Sequence, residues 1–471
     1  MSIFYDFLPM WAAGRAIRLG VNPYDPVVIA SVLYDALKTD GQILNSWPGG
    51  FMYPPWSLWI FFIFSFPPLG IAKYLWSLIA CSSILLVVSH ELYSKEIIRK
   101  VPIIVLTTTL IAFLPLNKQI FFGQSSWIIL VTTYYCWLLF QRGNYRSAGV
   151  LLGIAQVKSH VLLGFSAFMV ACALRRGTFT FLIYVITTFA IECGLAVLLD
   201  SNAFTDFFNM IVKIGTNKPH APRAATIDFV TYIFPIDIPR RFATLLSFYG
   251  ILGTLLIGMI GEGRERDRNK ALLISLLTAP FCWVNDYLIL LPAYLGFVGA
   301  TFRYNKKITL ILAGTLALSG VWVSGNWANR EVWGWVYLPL FMGYLLNTTQ
   351  GEIEQTLQVA PTSPVDMTRH PTLNYFQRFA DTLVLFFSVL GIPIAFCIGW
   401  GQAIINQNYT LRSLVELPFF LAGFMLFLSL ISALVRMQIE HLVRCIDSSN
   451  KKITKNPETT SDLSQFPPYS P

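Results

Sequence analysis

A lysine, a histidine and an aspartate stand where the surrounding sequence is almost wholly apolar. Lys158 and His160 follow Gln156 in the middle of the apolar run 147–174, and Asp286 follows Trp283 and Asn285 in the middle of the run 271–300. Ionisable groups inside apolar runs of membrane length are rare and costly, and mark functional sites by default. An ammonium and an imidazolium in a water-poor site stabilise negative charge that develops during a reaction. Asp286 is a partner for Lys158 or a holder of a ligand hydroxyl. Metal chemistry has no comparable signature: there is no His-Glu-x-x-His helix, no Cys-x-x-Cys pair, and none of the fourteen Asp residues lies two positions from another. A Gly-rich phosphate cradle of the P-loop type is also missing from the sequence. Six of the seven Cys (Cys81, Cys136, Cys172, Cys193, Cys282, Cys397) lie in apolar runs and read as small hydrophobes.

The elements that must position these residues follow from composition. Of 471 residues, 55% are hydrophobic and 13% charged, about half the charged share of an average soluble domain. A cytosolic enzyme, a disordered chain and a small disulfide scaffold are excluded. The expected fold is an all-α polytopic membrane protein of roughly 10–13 segments, at about 20 residues per crossing. The formal charge of +9 does not point to nucleic acid, because the basic residues occupy short loops between apolar runs, the positive-inside signature.

Those loops hold Lys95/Arg99/Lys100, Arg142/Arg146, Arg175/Arg176, Arg264/Arg266/Arg268/Lys270 and Arg303/Lys306/Lys307. If all face the cytoplasm, each interval between them crosses the membrane and returns. The intervals 101–140 and 178–260 have room for two full spans each. The runs 147–174 and 271–300 do not, at about 20 residues per span, and are expected to be pairs of half-helices that meet below the outer surface. Irregular polar backbone at that depth survives only when buried in protein or lining a wet cavity. The sequence therefore predicts a polar cavity opening outward. The same parity places 1–50, 117–125, 200–242, 324–331 and 401–413 outside. It also places Met1 outside, and so predicts a further apolar segment upstream of it.

Several motifs, in order, resemble glycosyltransferase family 87. Asp6-Phe7, Ala13-Gly14-Arg15-Ala16 and Gly20-Val21-Asn22-Pro23-Tyr24-Asp25-Pro26 are similar to its first external loop. Tyr53-Pro54-Pro55 resembles its tyrosine-proline-proline helix entry, and Gly123-Gln124 before Trp127 its glycine-glutamine helix start. Gly149 to Lys158 resembles its glycine-rich helix ending in lysine, with Ser159 where proline is usual. Pro280 to Trp283, Asp286 and Leu290-Leu291-Pro292 resemble its late motif.

The resemblance implies a GT-C-like bundle with broken half-helices and a polyprenyl-phosphate sugar, with mannose the best-known sugar, as donor substrate. It implies Asp6 as catalytic base. Lys158, His160, Gln124, Arg15 and Asp286 are read from their chemistry as donor-phosphate and sugar ligands, against plainer roles as a snorkelling lysine, a core histidine, a helix cap, an arginine beside lipid headgroups and the ion-pair partner of Lys158; no metal and no cofactor is expected. The partners are a glycan or glycolipid acceptor and membrane lipids. The location is the plasma (inner) membrane, multi-pass, with the active site on the extracytoplasmic face. The alternative is a multi-pass transporter or lipid-carrier flippase, for which two similar halves would be expected and none is visible. The domains expected are an external loop (1–50) bearing Asp6, whose preceding helix is not in the sequence, and a GT-C-like module (51–347). A polar linker (348–376), a transmembrane hairpin (377–437) and a cytoplasmic, largely disordered tail (438–471) follow. Asp25 is read as shaping its turn; Glu192, inside an apolar run, has no explanation.

Overall fold

A computed structural model describes residues 6–39, 50–217 and 241–304, apart from 262, 281 and 283. The runs 308–323 and 332–347, the linker, the C-terminal hairpin, the tail and most of the 200–242 loop lie outside the described residues. Among the described residues the structure is all-helical, with no strand.

The segment expected as an external loop is largely two helices, α1 (Phe7–Arg18) and α2 (Pro26–Thr39). Residues 40–49 lie outside the described residues, while the turn formers Gly20 to Asp25 fall in the link between the two helices. There Asn22 Oδ1 accepts the Tyr24 N–H (2.7 Å) and Asp25 Oδ1 accepts the Val27 N–H (2.8 Å), so Asp25 shapes the turn into α2. A 3-10 turn (Pro55–Ser57) leads into α3 (Leu58–Phe64), against which α1 lies. The contact is made at Gly14, where a Cβ would stand 2.1 Å from the Phe61 carbonyl oxygen. Gly14→Ala is therefore expected to cost about 1–3 kcal/mol of overpacking, read as a lower thermal midpoint of the purified protein in detergent. An unchanged midpoint would mean that α1 and α3 do not touch there.

Helix α4 (Leu69–Ser94) is 26 residues long, and one side of it is buried through Ala72, Trp76, Ala80, Ile84 and Val87. Its other side exposes Tyr74, Leu78, Leu85 and Leu86. A helix apolar on its exposed face is suited to lipid, not water. The short α5 (Ile97–Lys100) and α6 (Ile103–Ala112) follow. The first of the two spans expected in 101–140, the apolar run 101–116, is not continuous: the backbone breaks at Phe113, and α7 (Leu114–Phe122) starts anew with Pro115 near its first residue. Proline suits the first turn of a helix and not its interior, so the apolar run is cut in two. α7 also occupies most of the expected loop 117–125. α8 (Ser126–Gln141) comes next.

The run 147–174 forms α9 (Tyr145–Ala155), a 3-10 turn (Gln156–Lys158) and α10 (Ser159–Arg175). Measured end to end this stretch is long and apolar enough to cross a membrane, as are α4 and α11 (Phe179–Leu199). It doubles back, however. Gln156 Nε2 donates to Ser166 Oγ at 3.0 Å, although ten residues of straight helix would separate them by about 15 Å. At the other end, Arg176 donates to Gln141 Oε1 (3.2 Å), which puts the exit of α10 beside the entrance of α9. α11 then runs alongside α9, and α12 (Ala203–Asn217) follows it. α13 (Arg241–Ile260) packs on α10 and on α14 (Glu265–Thr278).

The second hairpin is built alike, from α14, a 3-10 turn (Val284–Leu290) and α15 (Leu291–Tyr304). Its start is fixed at the same end of the bundle, because Gln141 donates to the Gly263 carbonyl (2.9 Å) and Lys95 pairs with Glu265 (2.5 Å). α15 returns to that end, where Gly299 meets Ile97. A buried polar network ties α4, α8 and α14 there. Glu91 pairs with Lys95 and accepts from Tyr134 Oη (2.8 Å), while Arg268 pairs with Glu265 (2.9 Å) below the Tyr134 and Trp137 rings. Basic loops thus gather at one end, and the two 3-10 turns meet deep in the bundle.

Candidate functional site

The turns that end the two inward legs carry Lys158 and Asp286, and the fold brings them into contact. Lys158 Nζ lies 2.7 Å from Asp286 Oδ1. Both side chains are out of reach of solvent, with residue exposures of 3% and 0%. The remaining ammonium hydrogens go to Ser126 Oγ (3.0 Å) and Gln124 Oε1 (3.1 Å). Ser126 also donates to Asp286 Oδ1 (2.8 Å), closing a triangle of lysine, serine and aspartate. An ammonium has three N–H donors, so this arrangement uses all of them.

Gln124 carries the chain of contacts outward. Its carbonyl oxygen accepts from Lys158 and from Tyr53 Oη (2.8 Å), so its amide nitrogen must face the other way. That nitrogen donates to Asp6 Oδ2 at 2.7 Å. Tyr53 is held in turn by Ser125 Oγ (3.0 Å), and Lys158 lies over its ring at 5.7 Å. The loop bearing Gln124 is anchored from both sides: Gln119 donates to the Gln124 carbonyl, and Trp76 Nε1 donates to the Gly123 carbonyl (2.8 Å). Gly123 adopts a left-handed φ of 68° that ends α7. Asp6 is placed by its own N–H, which donates to the Phe122 carbonyl (3.0 Å), and it precedes α1 without capping it.

The result is one continuous path, Asp286–Lys158–Gln124–Asp6, across four separate segments of the chain. The first residues of α1, α8 and α10 all lie along it. Each helix start bears partial positive charge, and three together favour an anion. α8 spans from Ser126 in this cluster to Gln141 at the basic end, about 22 Å of helix rise.

The sequence-derived candidates fall unequally on this geometry. Asp6, Gln124, Lys158 and Asp286 are joined by hydrogen bonds. His160, in the first turn of α10, is within electrostatic reach of Lys158 and Asp286. Arg15 is carried away: it lies in the last turn of α1, about 13 Å of helix rise from Asp6. Glu192 is buried on α11 beside Trp59, not in this path, and the structure does not explain it. Tyr53, Ser125, Ser126 and Gln119 were not foreseen. Tyr53 opens the Tyr53-Pro54-Pro55 motif that was read, as a helix entry and not as a site residue, and Ser126 adjoins the Gly123-Gln124 motif. Among the described residues, no three His, Cys, Asp or Glu side chains come together as a metal site.

The sequence model of glycosyltransferase family 87 matches residues 51–292, about half of the chain. The chain belongs to this family. The match contains Tyr53, Gln124, Ser126, Lys158 and Asp286, while Asp6 precedes it. No curated protein and no solved structure matches the chain. As a glycosyltransferase, the chain must place a sugar donor and an acceptor where one group can take a proton and others can receive a leaving group.

Proposed function

We propose that this family 87 glycosyltransferase is a polytopic GT-C-type hexosyltransferase that moves a sugar, mannose in the first instance, from a polyprenyl phosphate to a glycan or glycolipid acceptor. The transfer takes place on the extracytoplasmic face of the plasma membrane. The observation that carries this reading is the Asp286–Lys158–Gln124–Asp6 path at the meeting of two doubled-back hairpins, with three helix starts trained on it.

Asp6 acts as base. Its carboxylate takes the proton of the acceptor hydroxyl as that oxygen attacks the anomeric carbon. The bond from the anomeric carbon to the phosphate oxygen breaks on the opposite side, and its electron pair leaves with the phosphate. A single displacement inverts configuration, since no second carboxylate forms a glycosyl intermediate. Gln124 holds one Asp6 oxygen and so aims the other lone pairs. Lys158, Ser126 and Tyr53 fix the Gln124 amide, which makes Lys158 a positioning residue for the base. The helix starts and nearby cations favour the departing anion.

A lipid monophosphate needs less counter-charge than a nucleoside diphosphate, and side chains suffice to supply it. The test compares polyprenyl-phosphate mannose with a nucleotide sugar, each with and without excess chelator. Transfer from the lipid donor alone, unchanged by chelator and with inverted product, is expected. Turnover of the nucleotide sugar alone, or complete loss with chelator that manganese or magnesium restores, would overturn the proposal.

A further inference from the structure

α12 has no part in the Asp286–Lys158–Gln124–Asp6 path, yet two of its rings back the segments that build it. We infer that α12 lies in the plane of the bilayer at its extracytoplasmic surface, with Phe208 and Ile211 seated in the lipid of that leaflet. This inference rests on the reading of α11 as a membrane span.

Three observations support it. First, α11 delivers the chain to that surface. It begins just after the basic loop of Arg175 and Arg176 and runs for 21 residues, about 31 Å of rise against a hydrocarbon core of about 30 Å. Phe179, Ile183, Ile186, Leu195 and Leu198 are exposed along it, a face suited to lipid from the first turn to the last. At Asp200 the backbone becomes extended, and Asp200 Oδ1 accepts the Asn202 N–H (2.9 Å). α12 therefore starts where the hydrocarbon ends.

Second, α12 has three faces. Ala203, Phe207 and Met210, at helical spacing, pack against the core. Thr205 and Asn209 are exposed and polar, whereas Phe208 and Ile211 are exposed and apolar. At 3.6 residues per turn these two pairs occupy separate arcs of the helix. Protein, water and lipid each take one side, the pattern of a helix lying in the membrane interface. Third, the inner rings lean on the site. Phe204 stands 6.4 Å from Trp56, whose Nε1 donates to the Gln156 carbonyl (2.8 Å) in the turn that carries Lys158. Phe207 stands 5.6 Å from Tyr24, whose hydroxyl donates to the Tyr53 carbonyl (3.2 Å). Held by lipid on one side, α12 braces the Tyr53 and Lys158 segments on the other and sets their depth below the headgroups.

The experiment places a bimane label at single positions of the full-length protein in phosphatidylcholine nanodiscs. Phe208→Cys, Ile211→Cys, Thr205→Cys and Asn209→Cys are compared, with Ile186→Cys on α11 as reference. Wild type labelled in parallel gives the signal of the native Cys, which is subtracted. Quenching is measured with lipids brominated near the glycerol or near the chain end, and with iodide in the water. Labels at 208 and 211 are expected to lose fluorescence chiefly to the shallow bromines, since an interfacial helix sits about 5–10 Å into the boundary of headgroup and acyl chain. Labels at 205 and 209 should lose it chiefly to iodide, and the label at 186 to the deep bromines. If 186 meets lipid while 208 and 211 respond to iodide as 205 and 209 do, the face is in water and the inference is overturned. If 208 and 211 respond to neither quencher, protein covers the face, which overturns it equally. A label at 186 that ignores brominated lipid would show that α11 does not span, and the membrane reading would fail along with the inference.

Discussion

Asp6→Asn is expected to lower sugar transfer by about two to four orders of magnitude while leaving expression and thermal midpoint unchanged. The substitution keeps the size of the side chain, and its carbonyl oxygen can still accept from Gln124 Nε2 as Asp6 Oδ2 does at 2.7 Å. What it removes is the capacity to take a proton from the acceptor. Binding of the donor should therefore persist, and the deficit should lie in turnover. Gln124→Glu provides a companion measurement. It would replace an amide donor by a second carboxylate facing Asp6, and like charges at hydrogen-bond distance favour a proton shared between them. Activity should fall at neutral pH with the fold intact. An Asp6→Asn protein with near-normal turnover would remove Asp6 from the chemistry.

The second large effect is on stability. Asp286→Asn should cost about 3–5 kcal/mol, because it leaves the Lys158 ammonium buried without its counter-charge. The pair need not contribute that much net stability when intact, since taking two charges out of water offsets most of their attraction. The sign of the double variant separates these two quantities. Lys158→Met with Asp286→Leu removes both charges and should recover much of the midpoint lost by either single change, without recovering transfer. Purified variants compared by thermal unfolding in one detergent give the answer. Single variants as stable as wild type would show that the contact is not formed in the folded protein.

The charged residues that meet inside the bundle were legible in the sequence because charge is conspicuous in an apolar background. Lys158 and Asp286 interrupt long apolar runs, and those runs are too short for two full spans between basic loops. Their meeting was not legible. It depends on where each hairpin leg ends, and apolar runs carry no marker of depth. α7 shows the same blindness, since Phe113 and Pro115 read as continuous apolar sequence and only the backbone reveals the break. The first fifty residues misled in the opposite way: their turn formers drew attention from two helices, the first of which is buried almost all round, from Phe7 and Leu8 to Ala16 and Ile17. Arg15 was placed with Asp6 by proximity in one motif, yet nine residues of helix carry it elsewhere. Tyr53 and Ser126 could not be singled out because a hydroxyl announces no role until its neighbours are known.

The hairpin legs also bear on how the chain enters a bilayer. α9 has eleven residues and α14 fourteen, about 16 and 21 Å of rise against a hydrocarbon core of about 30 Å. Neither can partition on its own as a finished span, and each tip holds a charge that lipid would expel. The ammonium of Lys158 is synthesised more than a hundred residues before the carboxylate that neutralises it. Until Asp286 arrives, the first hairpin must wait at the membrane boundary or beside the insertion machinery, flanked by α8 and α11. Membrane integration of this glycosyltransferase is therefore not a series of independent crossings: its earlier half is completed by its later half.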